Sequence, residues 1–191
     1  MSVLEWIAFI TGVISVWLSV RLNIWNWPAA IVNVTLYAIV FRRAGLYSDM
    51  GLQVVYLVLS IYGWYEWLYG GEGKSELQVS RATPGMWLAC GALGVVGWYV
   101  LATLTAKLPG AAIPKLDAAL TTVSLIAQWM MTKKVLENWL LWIAADLVYV
   151  PMFVIRKLPL TSVLYAVFLV LAVMGWREWR RSLEGQEVAV A

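Results

Sequence analysis

Long blocks of apolar residues with few charges constrain this chain more than any other feature. Residues 7–20, 24–41 and 158–176 are such blocks, and only 13% of the whole chain is charged, about half of the roughly 25% found in soluble domains. A helix that crosses the ~30 Å hydrocarbon core of a bilayer needs roughly 20 mostly apolar residues. Several blocks meet or approach that length, so the sequence predicts an integral membrane protein.

Seven apolar segments are separated by polar or glycine- and proline-containing breaks. Backbone groups in lipid must bond within the protein, and the sequence lacks the alternating pattern of barrel strands, so all seven segments are predicted to be helices. We expect the first to be a retained span, because no basic segment of a cleavable signal precedes it. The predicted spans are residues 5–20, 24–41, 52–69, 85–105, 117–132, 139–155 and 160–176.

The sequence repeats itself at an offset of 112 positions, which places residues 17–67 over residues 129–179 without a gap. The clearest match is the segment Gly63-Trp-Tyr-Glu-Trp67 against Gly175-Trp-Arg-Glu-Trp179. Other identical pairs are Trp17/Trp129, Asn26/Asn138, Trp27/Trp139, Tyr37/Tyr149 and Phe41/Phe153. Four of the matched pairs are tryptophans, which chance placement does not explain.

Each repeat contains three spans, and one unpaired span lies between them. Because three plus one is even, the second repeat starts on the same side as the first, and the repeats are parallel. Parallel repeats are typical of transporters, with the substrate site between the repeats near the membrane midplane. We therefore predict an all-α fold of seven transmembrane helices in a 3+1+3 order: a first repeat (5–69), a linker helix (85–105) and a second repeat (117–179).

Composition also argues against several classes of function. The chain has no histidine, and its single cysteine, Cys90, cannot form an intrachain disulfide. No metal site or cofactor site is indicated, and no HExxH, GxSxG or P-loop motif of an enzyme is present. The net charge of +3 is weak for a nucleic-acid-binding protein. We expect a non-enzymatic protein whose partners are lipid and a small molecule; a homo-oligomer is left open.

Polar side chains inside spans are costly and therefore informative. Asp146 is the only carboxylate that we place deep in a span, and Asn33, Gln53 and Gln128 are the main uncharged candidates. Asn138 begins the sixth span, at the position matched by Asn26. Each type of residue can also have a purely structural role. This role is helix capping for the two matched asparagines, an interhelical hydrogen bond for the glutamines, and a structural hydrogen bond for Asp146.

The sixth span carries a candidate binding face. Trp139, Trp142, Asp146 and Tyr149 are spaced three, four and three residues apart, so they lie on one side of a helix. Indole faces attract cations, and a carboxylate complements positive charge, so this face suits a flat, cationic aromatic ligand. The alternative is a seam of aromatic packing.

These residues resemble a known family, the PnuC-type vitamin transporters. The resemblance covers nearly the whole chain, from about residue 7 to residue 181. The segments that carry it are Asn26-Trp27-Pro28 with Asn33 and Tyr37; Leu46-Tyr-Ser-Asp-Met-Gly-Leu-Gln53; Glu137-Asn138-Trp139-Leu-Leu-Trp142 with Asp146 and Tyr149; and Gly175-Trp-Arg-Glu-Trp179.

The resemblance implies a fold related in architecture to SWEET sugar transporters. It implies uptake of nicotinamide riboside by facilitated diffusion, with phosphorylation by a cytoplasmic kinase trapping the product. It also suggests that Trp139, Trp142, Gln53 and Asn138 line the substrate site. Some members of the family carry thiamine or riboflavin, so these cargoes stay open. A channel or a structural membrane subunit is the remaining alternative.

Loop charges suggest how the chain is oriented in the cell membrane. Loops on the side of the C-terminus contain Arg21, Lys74, Arg81, Lys133, Lys134, Arg177, Arg180 and Arg181, against Arg42, Arg43, Lys107, Lys115, Arg156 and Lys157 on the other side. Cytoplasmic loops carry an excess of Lys and Arg. We therefore expect a multi-pass protein of the inner membrane with a cytoplasmic C-terminus.

Overall fold

Helices make up most of the chain in the computed structural model, which describes residues 3–43, 47–106, 114–155 and 159–190. In chain order they are α1 (Val3–Val20), α2 (Asn26–Arg43), α3 (Tyr47–Tyr69), α4 (Pro84–Thr105), α5 (Pro114–Thr132), α6 (Asn138–Ile155) and α7 (Pro159–Val190). A short 3₁₀ turn lies between α3 and α4, and one isolated bridge joins Ser80 to Val135. The prediction of seven helices in an all-α fold is confirmed.

Within the described residues, three helices are long and apolar enough by composition to cross a membrane: Pro84–Leu104, Asn138–Ile155 and Thr161–Gln186. A shorter apolar stretch, Trp6–Val20, forms most of α1. Only 6% of the apolar window in α4 is buried inside the protein. Because α4 packs mainly against α5, most of its surface is available to lipid.

The C-terminal helix is much longer than its predicted span. The charged residues after residue 176 end the apolar block, but they do not end α7, which runs on to Val190. Arg, Glu, Leu and Gln are good helix formers, and an Arg180–Glu184 pair at 2.9 Å spans one turn of this extension. Trp179 and Leu183 are also buried, so the extension is anchored by packing as well as by propensity.

The turn between α1 and α2 and the turn between α5 and α6 have the same backbone geometry. Leu22 and Lys134, which are matched in the repeat, adopt left-handed φ angles of 54° and 48°, unusual for residues with a Cβ. In each turn the N–H of the next residue donates to the carbonyl five residues back, at 3.0 and 3.1 Å. Residue identities differ at these positions, so the turns are equivalent in structure rather than in sequence.

Two glycines form sockets for two matched tryptophans. The Trp27 indole lies against the backbone of Gly63, and the Trp139 indole lies against Gly175. A Cβ added at Gly175 would lie 2.5 Å from the Trp139 ring, closer than any real contact allows. The first residue of each Gly-Trp-x-Glu-Trp segment is therefore a glycine because an indole occupies the space of a side chain.

The last residue of each Gly-Trp-x-Glu-Trp segment joins the two repeats. The Trp67 Nε1–H of α3 donates to the Met131 carbonyl of α5 at 3.0 Å, and the Trp179 Nε1–H of α7 donates to the Ser19 carbonyl of α1 at 2.9 Å. Donors and acceptors are both matched by the repeat offset. We call these contacts the α3–α5 seam and the α1–α7 seam.

The four tryptophans form one buried group, the four-indole cluster (Trp27, Trp67, Trp139 and Trp179). Their rings meet edge to face in a chain, with centroid distances of 5.4, 5.8 and 5.4 Å. Both left-handed turns border this cluster, so they lie at the same end of the molecule. The repeats are therefore parallel and related by an approximate two-fold axis through the cluster. The limits of the repeats as separate domains stay a prediction.

The sockets lead to a stability prediction. Gly175→Ala should destabilise the protein by ~1–3 kcal/mol, the usual cost of overpacking a tight core, because the added methyl group has to displace the Trp139 ring. Thermal unfolding of the purified protein in detergent measures the effect. Gly91→Ala is the matched control in α4, since nothing lies within 4 Å of a Cβ at that position. Equal melting temperatures for both variants would contradict the socket.

Candidate functional site

One side of α6 faces the protein interior. Trp139 and Asp146 are 1% and 3% exposed, and Trp142 and Tyr149 are partly buried. Leu140 and Leu147, on other sides of the helix, are 42% and 58% exposed. The face inferred from the three-four-three spacing therefore points away from lipid, which leaves both the binding face and the packing seam as interpretations of its individual residues.

Trp139 and Asn138 belong to the four-indole end of this face. Trp139 lies edge to face with Trp179 and flat against Gly175, so no ring surface is free for a ligand in this conformation. The Asn138 amide donates to the Val135 carbonyl at 2.6 Å, while its Oδ1 and the Trp139 Nε1 have no partner among the described residues. Capping would require the Asn138 Oδ1 to accept a hydrogen bond from a backbone N–H in the first turn of α6, and it accepts none. Asn138 instead stabilises the α5–α6 turn through its side-chain N–H.

Asp146 lies in a different setting, beside a group of tyrosines. The Tyr149 and Tyr165 rings are 4.6 Å apart at their centroids, and Asp146 lies near both phenols. The Ser124 hydroxyl lies near the hydroxyl groups of Tyr149 and Tyr56. We call these five residues the tyrosine–aspartate cluster; they come from α3, α5, α6 and α7, and thus from both repeats.

The Asp146 carboxylate makes no hydrogen bond and no ion pair within the part of the chain that the structure describes. A charge buried at this depth in a membrane costs ~2.5–3.5 kcal/mol on insertion scales, and such residues usually mark substrate or ion pathways. The structural hydrogen bond considered for Asp146 is not observed among these residues. Its surroundings offer hydroxyl groups and aromatic faces, which suit a ligand that carries positive charge on a ring.

The two glutamines lie on helix faces that lead to this cluster. Gln53 precedes Tyr56 by three residues on α3, and Gln128 follows Ser124 by four residues on α5, so each shares a helix face with a cluster member. Both side chains are partly buried. Neither makes an interhelical hydrogen bond among the described residues, so their amides are available to a ligand.

Asn33 is engaged elsewhere. Its Nδ2 donates to the Ala8 carbonyl at 2.5 Å and packs against Gly12, so it joins α2 to α1 within the first repeat. This placement fits an interhelical hydrogen bond, the role that small polar residues have in many membrane proteins. The structure does not bring Asn33 together with the tyrosine–aspartate cluster.

Tyr56, Ser124 and Tyr165 were missed by the sequence analysis. Two signals in the sequence point to them: Tyr165 occupies the position matched to Gln53, and Tyr56 lies one turn beyond Gln53 on the same face. A serine within an apolar helix is too common to single out Ser124. Its role depends on contact with helices distant in the chain.

Two cavities in the described part of the protein lie away from this cluster. One is an apolar groove of about 360 Å³ between α4, α5 and α6 whose lining includes Trp87, Cys90 and Gly94. The other is a polar cavity of about 380 Å³ beside the α1–α2 turn, bordered by Asn23 and Lys134. The first faces the surface that α4 exposes to lipid, and the second lies outside the four-indole cluster.

Comparison with known proteins decides the family. A model of the nicotinamide mononucleotide transporter family matches residues 2–181. The chain belongs to this family. It is 26% identical to the nicotinamide riboside transporter PnuC of Escherichia coli, covering 95% of this chain and 87% of the relative, and 29% identical to PnuC of Neisseria mucosa, covering 92% and 71%.

The same comparisons extend to structure and to a second cargo. The crystal structure of a vitamin B3 transporter PnuC superimposes with a TM-score of 0.75 at 28% identity, over 95% of this chain and 82% of that chain. A riboflavin/roseoflavin transporter, RibM of Streptomyces davaonensis, is 26% identical over 89% of this chain and 81% of its own length. The chain is thus a multi-pass membrane transporter of the PnuC type, and its relatives in these comparisons are transporters rather than enzymes.

Trp139 and Trp142 belong to the same sequence motif, but the structure buries them to different extents. Trp139→Ala should destabilise the protein by ~3–5 kcal/mol, the range for deleting a fully buried tryptophan, because the ring fills the four-indole cluster. Trp142→Ala should cost clearly less, since its ring is only partly buried. Thermal unfolding of the two variants measures this difference. Equal losses of stability would place both rings in the packing seam.

Proposed function

We propose that this protein carries a flat, positively charged vitamin across the cell membrane, with nicotinamide riboside as its cargo. The observation that carries the proposal is Asp146, a buried carboxylate without an ion-pair partner among the described residues, beside tyrosine rings in a fold shared with a vitamin B3 transporter. The pyridinium ring of nicotinamide riboside is flat and cationic, and its ribose hydroxyls match the amides and hydroxyls nearby.

Each candidate residue has a distinct role in the proposal. Trp142 stacks on the cationic ring, where a desolvated cation–π contact contributes ~2 kcal/mol, and Asp146 balances the charge one turn further along α6. Gln53 and Gln128 bind ribose hydroxyls, and Tyr149 closes the site on the side away from Trp142. Trp139, Asn138 and Asn33 hold the surrounding helices in place.

Facilitated diffusion is the mechanism that the residues favour. Coupled transport generally needs titratable relays or cation cages inside the membrane. The chain has no histidine, and Asp146 is the one buried carboxylate among the described residues. Net uptake then depends on removal of free cargo inside the cell, which a cytoplasmic kinase provides by phosphorylation. We place the C-terminus and the four-indole end in the cytoplasm on the basis of the Lys and Arg excess; Lys107, Arg156 and Lys157 of the opposite side lie outside the described residues.

Riboflavin and thiamine are the alternative cargoes. Riboflavin is favoured by the similarity to RibM, which equals the similarity to the Escherichia coli riboside transporter in percentage identity. Riboflavin has a larger, neutral ring system, whereas thiamine carries a cationic thiazolium ring. A channel or structural subunit would show no saturable flux.

A transport experiment tests the proposal directly. Proteoliposomes that contain the purified protein, a riboside kinase and ATP should accumulate phosphorylated nicotinamide riboside with saturable kinetics and without any ion gradient. Titrations of the purified protein with nicotinamide riboside, thiamine and riboflavin identify the cargo. Strict dependence on a proton or sodium gradient contradicts facilitated diffusion, and binding of riboflavin alone contradicts the cationic cargo.

The role of Asp146 has its own test. Asp146→Asn should weaken binding of nicotinamide riboside about tenfold, since charge-assisted contacts contribute ~1.5–3 kcal/mol and 1.4 kcal/mol is a factor of ten. The reduced, uncharged dihydro form of the riboside should bind as before, because it lacks the positive charge. Asp49→Asn, at an exposed position near the start of α3, is the control. Unchanged binding of both ligands would assign Asp146 a purely structural role.

A further inference from the structure

Each of the two seams between the repeats has a matched tryptophan hydrogen bond. The other polar contacts of the two seams differ. At the α3–α5 seam the Lys133 ammonium forms an ion pair with Glu66 at 3.1 Å and lies 5.0 Å from the centre of the Tyr62 ring. The adjacent Lys134 ammonium lies 4.5 Å from the centre of the Trp67 ring. Two cations of the second repeat therefore hold the end of α3 in the first repeat.

A strap formed by residues 75–82 reinforces this seam. The Lys134 Nζ donates to the Leu77 carbonyl at 2.7 Å, and the Leu77 N–H donates to the Trp67 carbonyl at 3.2 Å. Ser80 exchanges main-chain hydrogen bonds with the α5–α6 turn at 3.0 and 2.8 Å, and the Glu137 carboxylate accepts from the Ala82 N–H at 2.8 Å. The strap thus ties α3 to the α5–α6 turn through several bonds.

Part of the strap is buried, and so is the lysine that it contacts. Val79 is 4% exposed within the apolar core and Lys134 is 8% exposed. Burial lowers the pKa of the Lys134 ammonium, and the nearby Glu76 carboxylate opposes this effect. Opening this seam would break the Lys134 hydrogen bond, its contact with the Trp67 ring and the main-chain bonds of the strap at the same time. Separation of the α3–α5 seam is therefore strongly disfavoured.

The α1–α7 seam has none of these fastenings among the described residues. The positions matched to Lys133 and Glu66 are Arg21 and Glu178, which have the same charges but form no ion pair with each other. Glu178 lies 3.8 Å from Arg181 of its own helix instead. Lys134 is matched by the apolar Leu22. One tryptophan hydrogen bond and apolar packing hold this seam.

The α1–α2 turn is also less enclosed than the α5–α6 turn. Four consecutive residues of the α1–α2 turn, 22–25, line the polar cavity of about 380 Å³, whereas the α5–α6 turn contributes only Lys134 to its lining. The α5–α6 turn is also held by main-chain hydrogen bonds to the strap, so the α1–α2 turn has more room to move.

We propose that at this end of the molecule the α3–α5 seam is a hinge and the α1–α7 seam is the gate. Alternating access requires the repeats to part on one side of the central site at a time. Because the α3–α5 seam stays closed, the repeats rotate about it and separate at the α1–α7 seam. The Trp179–Ser19 hydrogen bond breaks, and α1 with the α1–α2 turn moves away from α7. The inference rests on the proposed transport function for its route, since the cargo then passes between α1 and α7.

Cross-linking at matched positions tests the proposal in the full-length protein. Cys90 is the only native cysteine, so Cys90→Ala provides the background. One variant carries Arg21→Cys with Glu178→Cys across the gate. Its matched control carries Glu66→Cys with Lys133→Cys across the hinge, where the Lys134 contacts and the strap still join α3 to the α5–α6 turn. A bifunctional thiol reagent with a cleavable spacer should abolish riboside uptake in the first variant, reversibly on cleavage, and leave uptake unchanged in the second. Loss of uptake in the hinge variant, or normal uptake in the linked gate variant, overturns the assignment.

Spin labels at the same four positions give a second readout that needs no transport. The labels across the gate should show two distance populations in lipid nanodiscs, and the labels across the hinge should show one. Two populations at the hinge pair, or a single one at the gate pair, contradict the proposal. If the protein with Cys90 intact fails to take up nicotinamide riboside, the proposed cargo is wrong, while the distances still decide between hinge and gate.

Discussion

Two tryptophan N–H groups, each bonded to a carbonyl of the other repeat, are the contacts on which the architecture depends. An N–H buried in a membrane protein has no water to bond, so an acceptor within the protein stabilises it. Ser19 and Met131 offer carbonyls near helix C-termini, where the intrahelical ladder ends. Since each donor lies in one repeat and its acceptor in the other, the repeats satisfy these groups only when they are joined.

The four-indole cluster is tightly packed but not fully satisfied. The Nε1 atoms of Trp27 and Trp139 and the Oδ1 of Asn138 are buried without partners among the described residues. An unmade hydrogen bond of this kind costs ~1–3 kcal/mol. The cost falls on matched tryptophans, Trp27 beside the α3–α5 seam and Trp139 beside the α1–α7 seam, which fits a conformation that is one of two rather than the only stable arrangement.

The repeats agree where they support the fold and differ where a ligand is proposed to bind. The tryptophans of the four-indole cluster, their two socket glycines and the pair Asn26/Asn138 are identical in the two halves. At the tyrosine–aspartate cluster the second repeat has Asp146 and Ser124, whereas the matched first-repeat residues are Val34 and Gly12. A single carboxylate makes the centre of a nearly symmetric protein asymmetric, as a cargo with charge on one ring and hydroxyls on another requires.

Local pattern determined much of this protein from the sequence alone. Apolar block length and the three-plus-one-plus-three repeat predicted seven parallel-repeat helices, because the bilayer fixes span length and each span must satisfy its own backbone. Helical spacing likewise predicted the inward face of α6, since residues three and four apart share a side of a helix. The prediction that the last span ends at residue 176, where charged residues begin, does not give the end of α7. The helix continues to Val190 because Trp179 and Leu183 pack in the core.

Only the tertiary structure decided what individual side chains do. Trp139 and Trp142 are alike in sequence, yet one ring is closed between Gly175 and Trp179 and the other is partly accessible. Asn33 is hydrogen-bonded to α1. Tyr165 lies near Asp146, and Tyr56 and Ser124 lie near Tyr149 of the same cluster, although their helices are far apart in the chain. Pattern along the chain specifies which face of a helix is buried, but contacts between helices depend on how those faces meet, and that is set by packing between residues distant in sequence.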